Sequence, residues 1–336
     1  MKLTVDCDFK FSDIATSEEA QHLHGLSFLL SRAKKIKCQK NALDSLVSQT
    51  FGLPTTPDLP MASIGAFGDG LDVQNAVWFY ADPVHFVLKR DTFSLHDEAP
   101  VNLSLAHAER LLDTLNQHFS DDGSQFLRGK SGRWFLKISK NTEIFWPVET
   151  KPLQSAIGQN VQAMMPKGHA ALQWRKILNE IQMLMHEHPV NQEREKNGEL
   201  AVSSVWVSGG GELPPKSALK VNEEVLLAEH PIYAGVACLV QKKYLPLQEI
   251  ESTIRQKKQA EMRMRLESKN LMQPINAFPS WWHFYLECLK KRSINYLVLN
   301  LGLHDMTLTA EISLLDLFKF WRKTKPVAEF FVCKKD

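Results

Sequence analysis

His186-Glu187-His188-Pro189-Val190-Asn191-Gln192-Glu193-Arg194-Glu195-Lys196-Asn197-Gly198, followed shortly by Ser203-Ser204-Val205-Trp206-Val207-Ser208-Gly209-Gly210-Gly211-Glu212-Leu213-Pro214, is the stretch on which the fold turns. Its front is polar and punctuated. Residues 200–207 alternate like a half-buried strand. The three glycines read as a turn closed by Pro214 and Pro215, where backbone bends sharply or lies close to something. A strand entering such a turn suits an anion held by backbone N–H groups, and equally a plain tight connection.

Upstream, residues 170–186 form the strongest helical pattern, with Leu172, Trp174, Ile177, Leu178, Ile181, Leu184 and Met185 covering enough of the circumference to predict burial on more than one side. His186 and His188 lie about 200° apart on a helix, the wrong geometry for one metal ion. Residues 103–119 predict a second amphipathic helix, with Leu105, Ala108, Leu111, Leu112 and Leu115 inside.

The spacing Asn191-x-x-Arg194-x-x-x-Gly198, a Trp206 strand, then Gly209-x-Gly211-x-x-Pro214 resembles the end of the insertion domain in archaeal-type, cofactor-independent phosphoglycerate mutases. The resemblance runs through Asp122-Gly123, Phe126, Arg133 and the Pro166-x-Gly168 turn, covering residues 75–215. Over the whole chain the likeness is to the RpfE-type regulatory proteins of proteobacteria, through Ala81-Asp82-Pro83-Val84-His85, Arg133-Trp134, Asn179-Glu180-x-Gln182-Met183 and Phe320-Trp321-Arg322.

The mutase resemblance implies an α/β fold of mixed sheets flanked by helices. Residues 1–215 would be an insertion-like domain and residues 216–336 a smaller, shortened remnant of a phosphatase-like core. It also implies a ligand site, with Arg133 and Arg194 clamping the phosphate or carboxylate of a phosphorylated three-carbon acid. Asn191 would hydrogen-bond that ligand, with Trp206, Gly209 and Gly211 completing the pocket. Two departures weaken it: Ser203 and Ser208 stand where the family carries Asn and Trp. Such mutases use two metal ions and a Ser or Thr nucleophile. Their opening Asp-Gly strand, nucleophile segment and late Asp-His-Ser segment have no counterpart here, so the expectation is a non-catalytic binding or regulatory protein with no catalytic residue, metal or cofactor. Gly68-Asp69-Gly70 is the one strand-edge Asp-Gly, and it reads as a hairpin turn.

Bulk properties agree. The chain has 336 residues, 44% hydrophobic and 23% charged, with 40 basic against 38 acidic residues. That balance gives no reason to expect nucleic acid, and no apolar run suggests a membrane partner. The opening residues are acidic where a secretory signal would be apolar. Five widely separated cysteines without a C-x-x-C predict lone buried thiols and a cytoplasmic setting.

Elsewhere, residues 3–9 predict a strand, and Ser17-Glu18-Glu19 the start of a helix through Leu30. The basic run from Arg32 to Lys40 reads as a solvated helix end. Residues 41–51 read as a helix, 62–72 as a hairpin-like turn, 233–240 as a buried strand and 248–270 as a long charged helix. Trp281-Trp282-His283-Phe284-Tyr285 opens a helix that offers one alternative function, a protein-interaction surface without a small ligand; the other that the mutase resemblance leaves open is an active metal-dependent phosphoglycerate mutase-like phosphotransferase. Residues 295–301 and 306–312 predict paired strands, and residues 314–321 a last helix.

Overall fold

The computed structural model describes residues 1–9, 23–54, 58–90, 92–140, 146–256, 261–271, 274–275 and 278–331. The proposed helix start at Ser17 lies outside these residues. The chain opens with β1 (Lys2–Phe9), α1 (His24–Arg32), β2 (Lys35–Gln39) and α2 (Leu43–Phe51). Then come α3 (Met61–Gly68), β3 (Ala76–Val84), β4 (Phe86–Lys89), β5 (Thr92–Leu95), α4 (Leu105–His118), β6 (Ser124–Arg128) and β7 (Trp134–Ser139). After two short helical turns follow α5 (Ala171–His186), α6 (Pro189–Lys196) and β8 (Ser204–Gly211). The rest supplies β9 (Val225–Leu227), α7 (Pro231–Val240), β10 (Lys243–Leu245), α8 (Ile250–Arg255), β11 (Glu261–Leu266), α9 (Trp281–Lys290), β12 (Tyr296–Leu303) and β13 (Met306–Ser313). The architecture is mixed α/β, as expected.

Two compact units form, Gly52–Leu219 and a discontinuous one of Met1–Phe51 with Lys220–Asp336. The expected division at 215/216 therefore differs at the front. The first 51 residues fold with the C-terminal segment, because β1 is the central strand there.

In the discontinuous unit a seven-stranded sheet runs β10-β9-β11-β1-β12-β13-β2. Its first five strands are parallel; β13 and β2 are antiparallel additions. Alternation in β1 sends Leu3, Val5, Cys7 and Phe9 into a core with Leu26, Leu29 and Leu30 of α1 and Trp282 and Tyr285 of α9. Thr4, Asp6 and Asp8 take the opposite face. The basic run is not a solvated helix end: Lys35 to Gln39 pair with β13 at the sheet edge, where lysines discourage further strand pairing. Residues 231–240 are helical rather than extended, with Pro231 at the first position and His230 capping the N–H of Ile232. The expected long helix over 248–270 is the short α8 and then the strand β11.

Trp281, Trp282, Phe284 and Tyr285 are all buried in this core, so these four side chains are core packing rather than exposed surface. Ser280 caps its helix as expected. Cys7 and Cys288 are buried free thiols, burial pushing Cys288 up to about 12. Cys238 is exposed and Cys38 is disulfide-bonded, so lone buried thiols do not describe all the cysteines. Residues 314–318 form a 3-10 turn, not a full helix.

The continuous unit holds an antiparallel sheet, β6-β7-β3-β8, and the hairpin β4–β5. Helices α4 and α5 cover one face through Leu111, Leu112, Leu115, Trp174, Ile177 and Ile181. Leu105 and Leu172 were expected inside, yet they are 54% and 79% exposed; each sits in its helix's first turn, off the buried stripe. Residues 61–68 are a helix, not a hairpin, and the Tyr80 hydroxyl donates to the Met61 carbonyl at 3.0 Å to hold it.

Candidate functional site

The glycine stretch is a bulged strand rather than a turn. Trp78 of β3 pairs with Gly211 and Tyr80 with Ser208, so β8 carries one extra residue. Gly209 takes φ +67, and a Cβ on Gly210 would lie 2.2 Å from the Phe79 ring. Only glycine fits both positions. The freed N–H groups do point at anionic and polar oxygen, but the oxygen is internal. Gly209 N–H donates to Thr150 Oγ1 and Gly210 N–H to Asp58 Oδ2, each at 3.0 Å. The Thr150 hydroxyl also donates to Asp58. Burial raises the Asp58 carboxyl, and these bonds oppose the rise.

Asn191 and Arg194 likewise turn inward. Helix α6 ends at Lys196 with Asn197 as its C-cap, and Gly198 follows at φ +72, a left-handed close that Gly permits. Asn191 is 3% exposed. Its amide donates to the carbonyls of Met185 and Val202 at 2.7 and 2.8 Å and accepts from Val202 N–H at 2.8 Å. Arg194 donates to the carbonyls of Leu200 and Asn102 at 2.7 and 3.1 Å and pairs with Glu199 at 3.0 Å. The spacing that resembled a binding motif is, in this fold, a clasp that brings residues 199–202 back to start β8. In this structure the hydrogen bonds of Asn191 and Arg194 go to the protein's own backbone and to Glu199.

Arg133 is also engaged. Its guanidinium makes a bidentate pair with the buried Asp82, at 3.1 and 3.0 Å, and stacks 3.5 Å over the Tyr80 ring. Trp206 is buried and donates its indole N–H to the Lys151 carbonyl at 2.8 Å. The space beside it is about 10 Å³, room for one water at most. The six expected residues thus serve separate structural tasks instead of lining one pocket. An open groove of about 630 Å³ does exist in this unit, between Asn75, Asn116, Gln125, Lys137 and Ser139, and none of the six lines it.

A charged cluster that the sequence did not disclose lies on the polar face of the seven-stranded sheet. Asp6, fully buried, accepts from Arg263 at 2.9 Å, from Asn300 at 2.7 Å and from the Tyr233 hydroxyl. Arg263 also pairs with Glu223 at 2.8 Å. Arg265 pairs with Asp8 and, at 3.0 Å, with Asp44. Burial alone would pull both arginines down, yet the carboxylates around them hold both above the ordinary value. They stay charged. The single legible signal was the alternation Met262-Arg263-Met264-Arg265, a strand pattern with charges on its second face.

The mutase resemblance implies two metal ions, and these carboxylates do not fit them. Guanidinium groups already bond the oxygens a cation would need. Among the described residues no group of three or more His, Cys, Asp or Glu is placed to hold an ion.

Asp8 gives a pH signature. Burial pushes its carboxyl from 3.8 up to about 6, Arg265 opposing and Asp44 adding to the rise. The folded form therefore holds this proton more tightly than the unfolded chain. The contribution is full below about 3.8 and is lost as pH rises through about 6. In urea unfolding, wild type should lose stability relative to Asp8→Asn across that window. A difference independent of pH would refute the assignment.

No helix of the described residues is long and apolar enough to cross a membrane. No protein-family model matches the chain. It is 26% identical over 156 residues to a probable 2,3-bisphosphoglycerate-independent phosphoglycerate mutase of Geobacter sulfurreducens, covering 46% of this chain and 37% of that protein. It is 26% identical over 151 residues to the 2,3-bisphosphoglycerate-independent phosphoglycerate mutase of Methanosarcina mazei, covering 42% and 38%. The solved cofactor-independent phosphoglycerate mutase of Thermoplasma acidophilum aligns over 93% of this chain and 89% of its own, with 15% identity and a TM-score of 0.39. The matched part spans less than two fifths of these curated relatives. The chain is thus similar, over part of its length, to cofactor-independent phosphoglycerate mutases.

Proposed function

We propose that this chain is a non-catalytic, cytoplasmic regulatory or binding protein built on a scaffold like that of cofactor-independent phosphoglycerate mutases, in line with its RpfE-type likeness. One observation carries the reading: within each unit, the candidate charged groups are bonded by partners of that same unit. Asp6 and Asp8 are bonded by Arg263 and Arg265, while Arg133 and Arg194 are bonded by Asp82, Glu199 and backbone carbonyls. A group already paired in a buried setting gains little from a ligand and loses its partner on binding. The same observation weighs against the phosphorylated three-carbon acid and favours action through surface contact.

The test is titration of the purified chain with 3-phosphoglycerate, with and without manganese, following both heat and formation of 2-phosphoglycerate. Neither signal is expected. Turnover would overturn the non-catalytic reading. Saturable heat abolished by Arg133→Ala would restore the small-ligand pocket.

A further inference from the structure

The Phe320-Trp321-Arg322 motif, left unexplained by the site above, stands on an exposed apolar patch. Leu315, Phe318, Phe320 and Trp321 are 79%, 65%, 84% and 68% exposed. The Phe320 and Trp321 rings pack edge to face at 5.3 Å. Four large apolar side chains concentrated in seven residues are not scattered surface hydrophobics.

The backbone beneath them is fastened. Arg322 donates to the Ala33 carbonyl at 2.8 Å and Lys319 to the Arg32 carbonyl at 3.5 Å, at the C-terminal end of α1. Lys325 N–H donates to Ser31 Oγ at 2.9 Å. Ser313 and Asp316 close a capping box at the start of the turn. These bonds bring the patch beside the edge strand β2 and Lys34 just before it, whose N–H bonds the Glu311 carbonyl.

The surrounding charge is one-sided. Lys34, Lys35, Lys37, Arg322 and Lys323 are exposed. The nearby acids are engaged: Asp316 is buried against Lys319, Glu311 accepts from Tyr296 at 2.5 Å, and Glu329 pairs with Lys325. A chain balanced overall at 40 basic to 38 acidic residues has gathered positive charge around its most exposed aromatics.

We infer that this face docks on an anionic phospholipid surface, with Phe318, Phe320 and Trp321 entering the interfacial layer and the lysines meeting lipid phosphates. Two features select lipid over a protein partner. The cationic rim is almost entirely lysine, which protein–protein interfaces deplete while enriching arginine. The apolar side chains protrude, and neither the groove nor the small space described above lies at this face. Peripheral docking needs no spanning helix, so the sequence-based expectation of no membrane partner, which rested on span length, does not bear on it. The inference rests on the surface-contact reading but not on the absence of catalysis.

The experiment is co-sedimentation of the full chain with phosphatidylcholine vesicles, with and without phosphatidylserine. Binding is expected only with the anionic lipid, and it should weaken as salt shortens the Debye length from about 10 Å at 0.1 M to about 3 Å at 1 M. Each of Lys34→Ala, Lys35→Ala and Lys323→Ala should weaken binding on the order of five-fold. The pair Phe320→Ser with Trp321→Ser should weaken it by more than about ten-fold, with an unchanged melting curve, since both side chains are exposed. No binding to anionic vesicles at low salt would overturn the inference. So would binding indifferent to the Phe320 and Trp321 changes, or a concentration-dependent dimer abolished by them without any vesicle binding. Turnover of 3-phosphoglycerate would overturn the non-catalytic reading alone.

Discussion

Replacing Arg263 by alanine is expected to remove a large share of the stability of the unit formed by the two ends of the chain. The guanidinium is 6% exposed and sits between Asp6, 0% exposed, and Glu223, 7% exposed. Without it two buried carboxylates lose their directly bonded counter-charge; Asp6 keeps the hydrogen bonds of Asn300 and Tyr233 and the field of Arg265. Breaking a buried pair in this way costs about 3–5 kcal/mol, against a total that is about 5–15 kcal/mol for most domains. Arg263 also covers the Phe51 ring at 5.4 Å, so some loss is packing. Arg263→Met keeps most of that packing and isolates the charge. Adding Asp6→Asn to Arg263→Met should recover part of the deficit, because a neutral amide needs no counter-charge. Urea unfolding read by circular dichroism decides this. Full stability in Arg263→Ala would mean that the cluster is not buried as described.

Asn191→Ala is expected to cost about 2–6 kcal/mol, from about 1–3 kcal/mol for each of two buried backbone groups left without the amide. Those groups are the N–H and the carbonyl of Val202; the Met185 carbonyl keeps the His188 N–H at 3.2 Å. Val202 is 0% exposed, so water cannot replace the amide. Asn191→Asp should fail as well, because a carboxylate accepts but cannot donate to two carbonyls. The reading of Asn191 as a ligand contact predicts the reverse: near-normal stability and altered binding of phosphorylated acids. Denaturant midpoints and protease susceptibility around residues 199–204 separate the two. A stable Asn191→Ala would return Asn191 to the ligand site.

The two signals that misled the reading of residues 61–68 and 231–240 were local and genuine. Gly65, Gly68 and Gly70 mark breaks, but Gly65 is also where a helix can approach the Tyr80 hydroxyl, which would stand 2.4 Å from an added Cβ. Pro231 to Val240 is apolar throughout, and a short run of that kind has no period to tell strand from helix. The spacing around Asn191, Arg194 and Gly198 is legible in the sequence, but its internal hydrogen bonds are not. A helix stop with side chains bonded to backbone and a ligand clasp both need an amide, a guanidinium and a glycine at fixed intervals.

The amino-acid sequence by itself determined the elements whose period is strong: the helices α4 and α5, the strand β1, the hairpin of β12 and β13, and hence the mixed α/β class. Periodicity is a property of neighbours along the chain, so it survives without tertiary context. What only the tertiary structure decided was which charges are internal and which polar residues have work left to do. Asp6 meets Arg263 across 257 residues of sequence, and Arg133 meets Asp82 across 51. Nothing local marks a charge as paired when its partner arrives on another strand, and burial of a charge is tolerable only once that partner is in place.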